Sequence, residues 1–71
     1  MSFEIGTKVT NSRGAWATLR TAPNRTNSLA TVYYVECYAP DFPEHIPSTE
    51  MAHNQHRARA EKAMRTWLAK R

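Results

Sequence analysis

At 71 residues and a net charge of +4, the chain has room for one domain, residues 1–71, whose core is limited to about one sheet face closed by one helix. A domain of this size buries only about 60% of the surface that its unfolded chain exposes, which leaves little interior for a deep catalytic cleft and argues against an enzyme. The single cysteine, Cys37, excludes an internal disulfide, the usual support of small secreted domains.

The first residues, Met1-Ser2-Phe3-Glu4-Ile5-Gly6-Thr7-Lys8, have neither the basic start nor the apolar stretch of a secretory signal. No apolar run approaches the ~20 residues of a membrane span. The expectation is a cytoplasmic protein with no membrane partner. Charge is unevenly spread along the chain. Residues 1–50 hold four basic side chains (Lys8, Arg13, Arg20, Arg25) against five acidic ones (Glu4, Glu36, Asp41, Glu44, Glu50), whereas residues 51–71 hold six basic ones against Glu61 alone. The positive field therefore belongs to the C-terminal segment.

Phe3, Ile5 and Val9 share one parity, while Glu4, Gly6, Lys8 and Thr10 share the other, a period of two that predicts a half-buried strand over about residues 3–10. Asn11-Ser12-Arg13-Gly14 is a run of turn formers. Residues 15–21 alternate again, with Ala15, Ala17, Leu19 and Thr21 on one face and Trp16, Thr18 and Arg20 on the other. The polar stretch Ala22-Pro23-Asn24-Arg25-Thr26-Asn27-Ser28 reads as an exposed connection. Residues 30–39, dense in β-branched and aromatic types, form the clearest strand. There Tyr33, Val35 and Cys37 face one way, and Val32, Tyr34, Glu36 and Tyr38 the other.

Asp41-Phe42-Pro43-Glu44 has the form of a capping box. Pro47 follows too soon for a helix, so a single abortive turn is expected there. A second start at Ser48 or Thr49, with Glu50 complementing the dipole, opens an unbroken helix to about Lys70. Ala60, Ala63, Met64, Trp67 and Leu68 make its apolar stripe, which continues backwards into the polar Arg57, His56 and His53. Arg59, Lys62 and Arg65 point away from that stripe, towards solvent. The predicted fold is α+β: a three-stranded antiparallel β-sheet (strands about 3–10, 15–21 and 30–39) followed by one long C-terminal α-helix (about 48–70). The Trp67 and Leu68 end of the helix packs on Phe3, Ile5, Leu19 and Val35.

If that sheet face carries the helix, Trp16, Arg20, Val32, Tyr34 and Tyr38 face the other way with nothing left to cover them. Trp, Tyr and Arg dominate interface hot spots, and aromatic faces also stack single-stranded nucleic acid. The second candidate surface is the basic helix, where Arg57, Arg59, Lys62 and Arg65 could track phosphates; a solvated helix face is the commoner meaning of such a charge run. His53 and His56, with His45 and Cys37 near in sequence, do not supply the paired ligand spacing of a zinc site, so no metal is expected. Cys37 lies on the predicted core face, where a thiol acts as a small hydrophobe rather than a nucleophile. With only Gly6 and Gly14, there is no phosphate-cradling loop. No cofactor is expected.

The order of three strands and one helix resembles that of plant AP2 DNA-binding domains and of the arm-binding domains of phage-type integrases, in which the sheet enters the major groove. The string Gly14-Ala15-Trp16-Ala17-Thr18-Leu19-Arg20 is loosely similar to an AP2 strand, with a different spacing from Trp to Arg. The likeness is one of order, and no family is assigned. In format the chain also resembles the accessory proteins that phages use against host machinery, anti-CRISPR proteins and RNA-polymerase inhibitors among them. The expected function is a non-enzymatic inhibitor or adaptor, monomer or homodimer, that docks on a host protein or nucleoprotein complex through Trp16, Arg20, Tyr34 and Tyr38. The alternative is direct DNA or RNA binding by the sheet face and the basic helix.

Overall fold

The computed structural model describes residues 3–27 and 29–71; Met1, Ser2 and Ser28, which belong to the start and to the first long connection read above, lie outside the described residues. Four strands form one antiparallel meander in the order β1-β2-β3-β4: β1 (Lys8–Thr10), β2 (Trp16–Pro23), β3 (Thr31–Tyr38) and β4 (Thr49–Asn54). The helix α1 (Arg57–Lys70) follows and packs on one face. The fold is α+β with a C-terminal helix, as the residue pattern predicts, but the sheet has four strands where three were expected. The fourth strand also removes the likeness of order to the three-stranded DNA-binding domains.

β2 and β3 pair over their whole length, from Trp16 opposite Tyr38 to Pro23 opposite Thr31. The alternation read from the sequence is the alternation of the sheet. Ala17, Leu19, Val35 and Cys37 are fully buried beneath Ala60 and Met64 of α1, with Phe3, Val9, Tyr33, Met51, Trp67 and Leu68 packed around them. Met64, rather than the Trp67 and Leu68 end, is the fully buried anchor of the helix.

Three expectations are corrected. Residues 49–54 carry helix-favouring side chains, yet they form β4, because the outer edge of β3 would otherwise expose a long apolar strand with unpaired backbone groups. Pro47 favours an extended Ile46, Ser48 spends its hydroxyl on Glu36 rather than on a helix N-terminus, and Asn54 Oδ1 accepts from the His56 backbone N–H at 2.8 Å in the turn into the helix. His53 and His56 therefore do not share a helical face: His53 is on the edge strand and His56 is the helix N-cap residue. The second correction concerns residues 3–7. Gly6, with φ +86°, turns the chain out of line, so β1 begins only at Lys8 and Ile5 makes a lone bridge to Leu19. Ile5 is 46% exposed and stands outside the core. Third, the Asp41 carboxylate caps no helix. The turn there is real, held by Phe42 N–H to Ala39 O and Ile46 N–H to Pro43 O, but Asp41 pairs with Arg71 at 2.6 Å.

Both ends of α1 are fastened by residues far away in sequence. At its start, Arg57 donates to the Phe3 carbonyl at 2.6 Å and to Glu61 Oε1 at 2.8 Å, while Glu61 Oε2 accepts from the Phe3 N–H at 3.3 Å. Glu61, only 7% exposed, is thus a buried carboxylate with its partners in place. At the other end the β1–β2 turn supplies the cap. Asn11 Oδ1 accepts from the backbone of Arg13 and Ala15, its amide donates to the Leu68 carbonyl at 3.0 Å, and Arg13 donates to the Leu68 and Ala69 carbonyls at 3.1 and 2.9 Å. Carbonyls that a helix end leaves unpaired are satisfied this way.

Candidate functional site

The molecule measures 37 × 31 × 17 Å. The short dimension is that of one sheet and one helix layer, so among the described residues no further layer covers the sheet face opposite α1. Strand alternation delivers to that face Thr10, Trp16 and Tyr38 in one row, Lys8, Thr18, Glu36 and Glu50 in the next, then Arg20, Tyr34 and His53, then Ala22 and Val32. The four residues singled out from the sequence, Trp16, Arg20, Tyr34 and Tyr38, are all brought together here.

The side chains of this face are packed against one another. Trp16 and Tyr38, directly opposite across β2 and β3, stack with ring centroids 6.1 Å apart and planes at 26°. The Lys8 ammonium lies 4.4 Å above the Trp16 ring. Tyr34 stacks on His53 at 5.3 Å and 16°. Edge-to-face contacts from Tyr38 to Phe42 (5.7 Å) and from Phe42 to Trp67 (6.4 Å) carry the aromatic run around the end of the sheet to the helix layer. These arrangements are the offset and T-shaped geometries that aromatic quadrupoles favour. Thr18, although on the open face, is only 2% exposed beneath its neighbours.

The electrostatics are mixed rather than basic. Glu36 and Glu50 sit directly opposite each other on β3 and β4, a like-charge pair that costs stability unless compensated. Compensation comes from Arg20, whose Nε donates to Glu36 Oε1 at 3.1 Å, and from the Ser48 hydroxyl on Glu36 Oε2, while the His53 ring lies 3.6 Å from Glu50. Sequence reasoning did not include Glu50 and His53 in this face, because it carried the helix back across them. Their alternation is hidden by a bulge: Ala52 adopts φ +59° where the pairing slips between Tyr33 and Val35, which returns His53 to the open side.

The basic helix divides into two groups. Arg57 is turned inward onto Phe3 and Glu61, and Arg65 lies over the Phe3 ring at 5.9 Å with its guanidinium 3.9 Å from Glu61, so these two brace the fold and Arg65 does not simply point to solvent. Arg59 and Lys62 are exposed on the outer side of α1. Among the described residues, no three His, Cys, Asp or Glu side chains converge as a metal would need, and no helix is long and apolar enough to cross a membrane. Burial pushes the Cys37 thiol above its ordinary range, opposed by the Arg71 charge and assisted by Glu36. A neutral, fully buried thiol is a poor nucleophile. Cys37 is therefore expected to react with an aromatic disulfide reagent only as fast as the protein unfolds; rapid native-state labelling at pH 8 would contradict its placement under α1.

Comparison with protein-family models, with curated proteins and with solved structures finds no match for this chain.

Proposed function

We propose that this protein is a non-enzymatic binding protein, an inhibitor or adaptor that docks on a host protein or nucleoprotein complex through the open sheet face, with Trp16, Arg20, Tyr34 and Tyr38 as its contacts. The observation that carries this reading is preorganisation: the aromatic side chains are already stacked and Arg20 is already held by Glu36. Such residues lose little freedom on binding, and Trp, Tyr and Arg are the types from which hot spots are built. The balance of Lys8 and Arg20 against Glu36 and Glu50 favours a protein surface of mixed charge over a phosphate backbone, which the two carboxylates would repel. Small size, one sheet and one helix are also the format of phage or mobile-element accessory proteins, anti-CRISPR proteins among them, and the proposed setting is cytoplasmic.

A second reading, direct binding of DNA or RNA, draws on the exposed cations of α1. The two are separated by capture from cell extract with and without nuclease, alongside anisotropy titrations on duplex DNA, single-stranded DNA and RNA. The proposed function expects a protein retained after nuclease treatment by the parent chain and not by Tyr34→Ala. Nucleic-acid binding at micromolar protein that weakens steeply with salt, as counterion release requires, together with loss of all capture after nuclease, would establish the second reading instead.

A further inference from the structure

A shallow groove of about 450 Å³ runs between the edge strand β4 and the outer side of α1. Its floor is the half-buried Met51, Ala63 and Trp67, and its exposed rim is Arg59, Lys62, Thr66 and Lys70. No acidic side chain lines it, and none of the three rim cations has an acidic partner among the described residues. We infer that this groove is a docking site for an acidic amphipathic helix of a partner protein. It is a surface separate from the open sheet face, and the inference does not depend on the reading given to that face.

Three observations select this occupant. The first is charge complementarity: three uncompensated cations around an apolar floor match a segment with apolar anchors flanked by carboxylates. The second is spacing. Rim and floor residues recur along α1 at 59, 62, 63, 67 and 70, the three- and four-residue intervals of one helix face, so the ridge spans about 16 Å at ~1.5 Å per residue. Three turns of a second helix lying along it would bring carboxylates to all three cations. The third concerns the edge strand. Ala52, at φ +59°, breaks the regularity of β4 beside Met51, and such bulges blunt an edge against the addition of another strand. A phosphate backbone would satisfy the rim but leave Met51, Ala63 and Trp67 uncovered.

The test uses a displayed library of random 14-residue peptides selected on the full chain. The variants are Lys62→Glu combined with Thr66→Glu, both exposed positions, and Tyr34→Ala on the open face, each checked for fold by circular dichroism. Enriched peptides should be acidic, with apolar residues three and four apart, and should become helical when bound. Their affinity should fall about tenfold or more on the double charge change and hold on Tyr34→Ala. Failure of the sheet-face reading would leave that pattern untouched. No enrichment, enrichment of peptides without carboxylates, or retention of the peptides by Lys62→Glu/Thr66→Glu would overturn the inference. So would a 14-nucleotide single strand that binds through Arg59 and Lys62 while no peptide is selected.

Discussion

Replacing Met64 with alanine is expected to lower the thermal midpoint by at least ~10 °C and to leave a large fraction of the chain unfolded at physiological temperature. Met64 is the only fully buried large side chain that α1 contributes among the described residues, and it sits on Ala17, Leu19, Val35 and Cys37. Truncating a buried methionine costs about 2–5 kcal/mol. A 71-residue domain has on the order of 4–10 kcal/mol in total, and each kcal/mol moves the midpoint of such a domain by roughly 4–8 °C. Two neighbours in the apolar inventory provide the contrast. Leu29 is 96% exposed and Ile5 46% exposed, so Leu29→Ala should be silent and Ile5→Ala mild. An unchanged midpoint for Met64→Ala in thermal melts would mean that α1 is not seated on the sheet.

The second large effect concerns binding. Trp16→Ala and Tyr34→Ala should each weaken the proposed partner by ~2 kcal/mol or more, at least about thirtyfold, while circular dichroism shows the fold intact. The fold should survive because both side chains lie on the sheet face away from α1, and what they lose is stacking on Tyr38 and on His53. Reversing Arg59 and Lys62 should act more gently on the same partner, chiefly on association rate and salt dependence. Arg65 is the wrong residue for that comparison, because it braces Glu61 and Phe3. If the charge reversal does the damage and the aromatic truncations do not, the open face is not the contact surface. If Trp16→Ala unfolds the protein, Trp16 serves the fold, and the site reading goes with it.

The parts of this structure legible in the sequence are those where local pattern and tertiary demand agree. β2 and β3 alternate cleanly, so the inward set Ala17, Leu19, Val35 and Cys37 and the outward set Trp16, Arg20, Tyr34 and Tyr38 could both be read from parity. The Ala60–Met64–Trp67–Leu68 stripe likewise has only one helical reading. β4 was not legible, because Glu50, Met51, Ala52 and His53 are acceptable helix formers and their strand alternation is interrupted by a left-handed Ala52, a conformation that nothing in the residue type announces. The same failure hid the β4 side of the open face: Glu50 and His53 reach it only because residues 49–54 form a strand. Ile5 has the parity of a core residue, but Gly6 bends the chain before that parity can take effect. A glycine between two short apolar alternations was the one available warning.

The fastening of α1 by Phe3 at one end and by Asn11 and Arg13 at the other has a consequence for the order of folding. The helix is 14 residues long, its His56 N-cap makes no side-chain cap, and no acidic residue occupies its first turn; isolated helices of this length are marginal in water. The hydrogen-bond partners that fasten its two ends lie 54 to 58 residues away along the chain, and closing loops of that length precedes any gain from the contacts that close them. The helix is therefore not expected to act as an early nucleus. β2 and β3, joined by a short connection, are expected to meet first, with α1 gaining its structure as it lands on them. Refolding should therefore be a single, comparatively slow relaxation, set by long-range encounter rather than by helix formation.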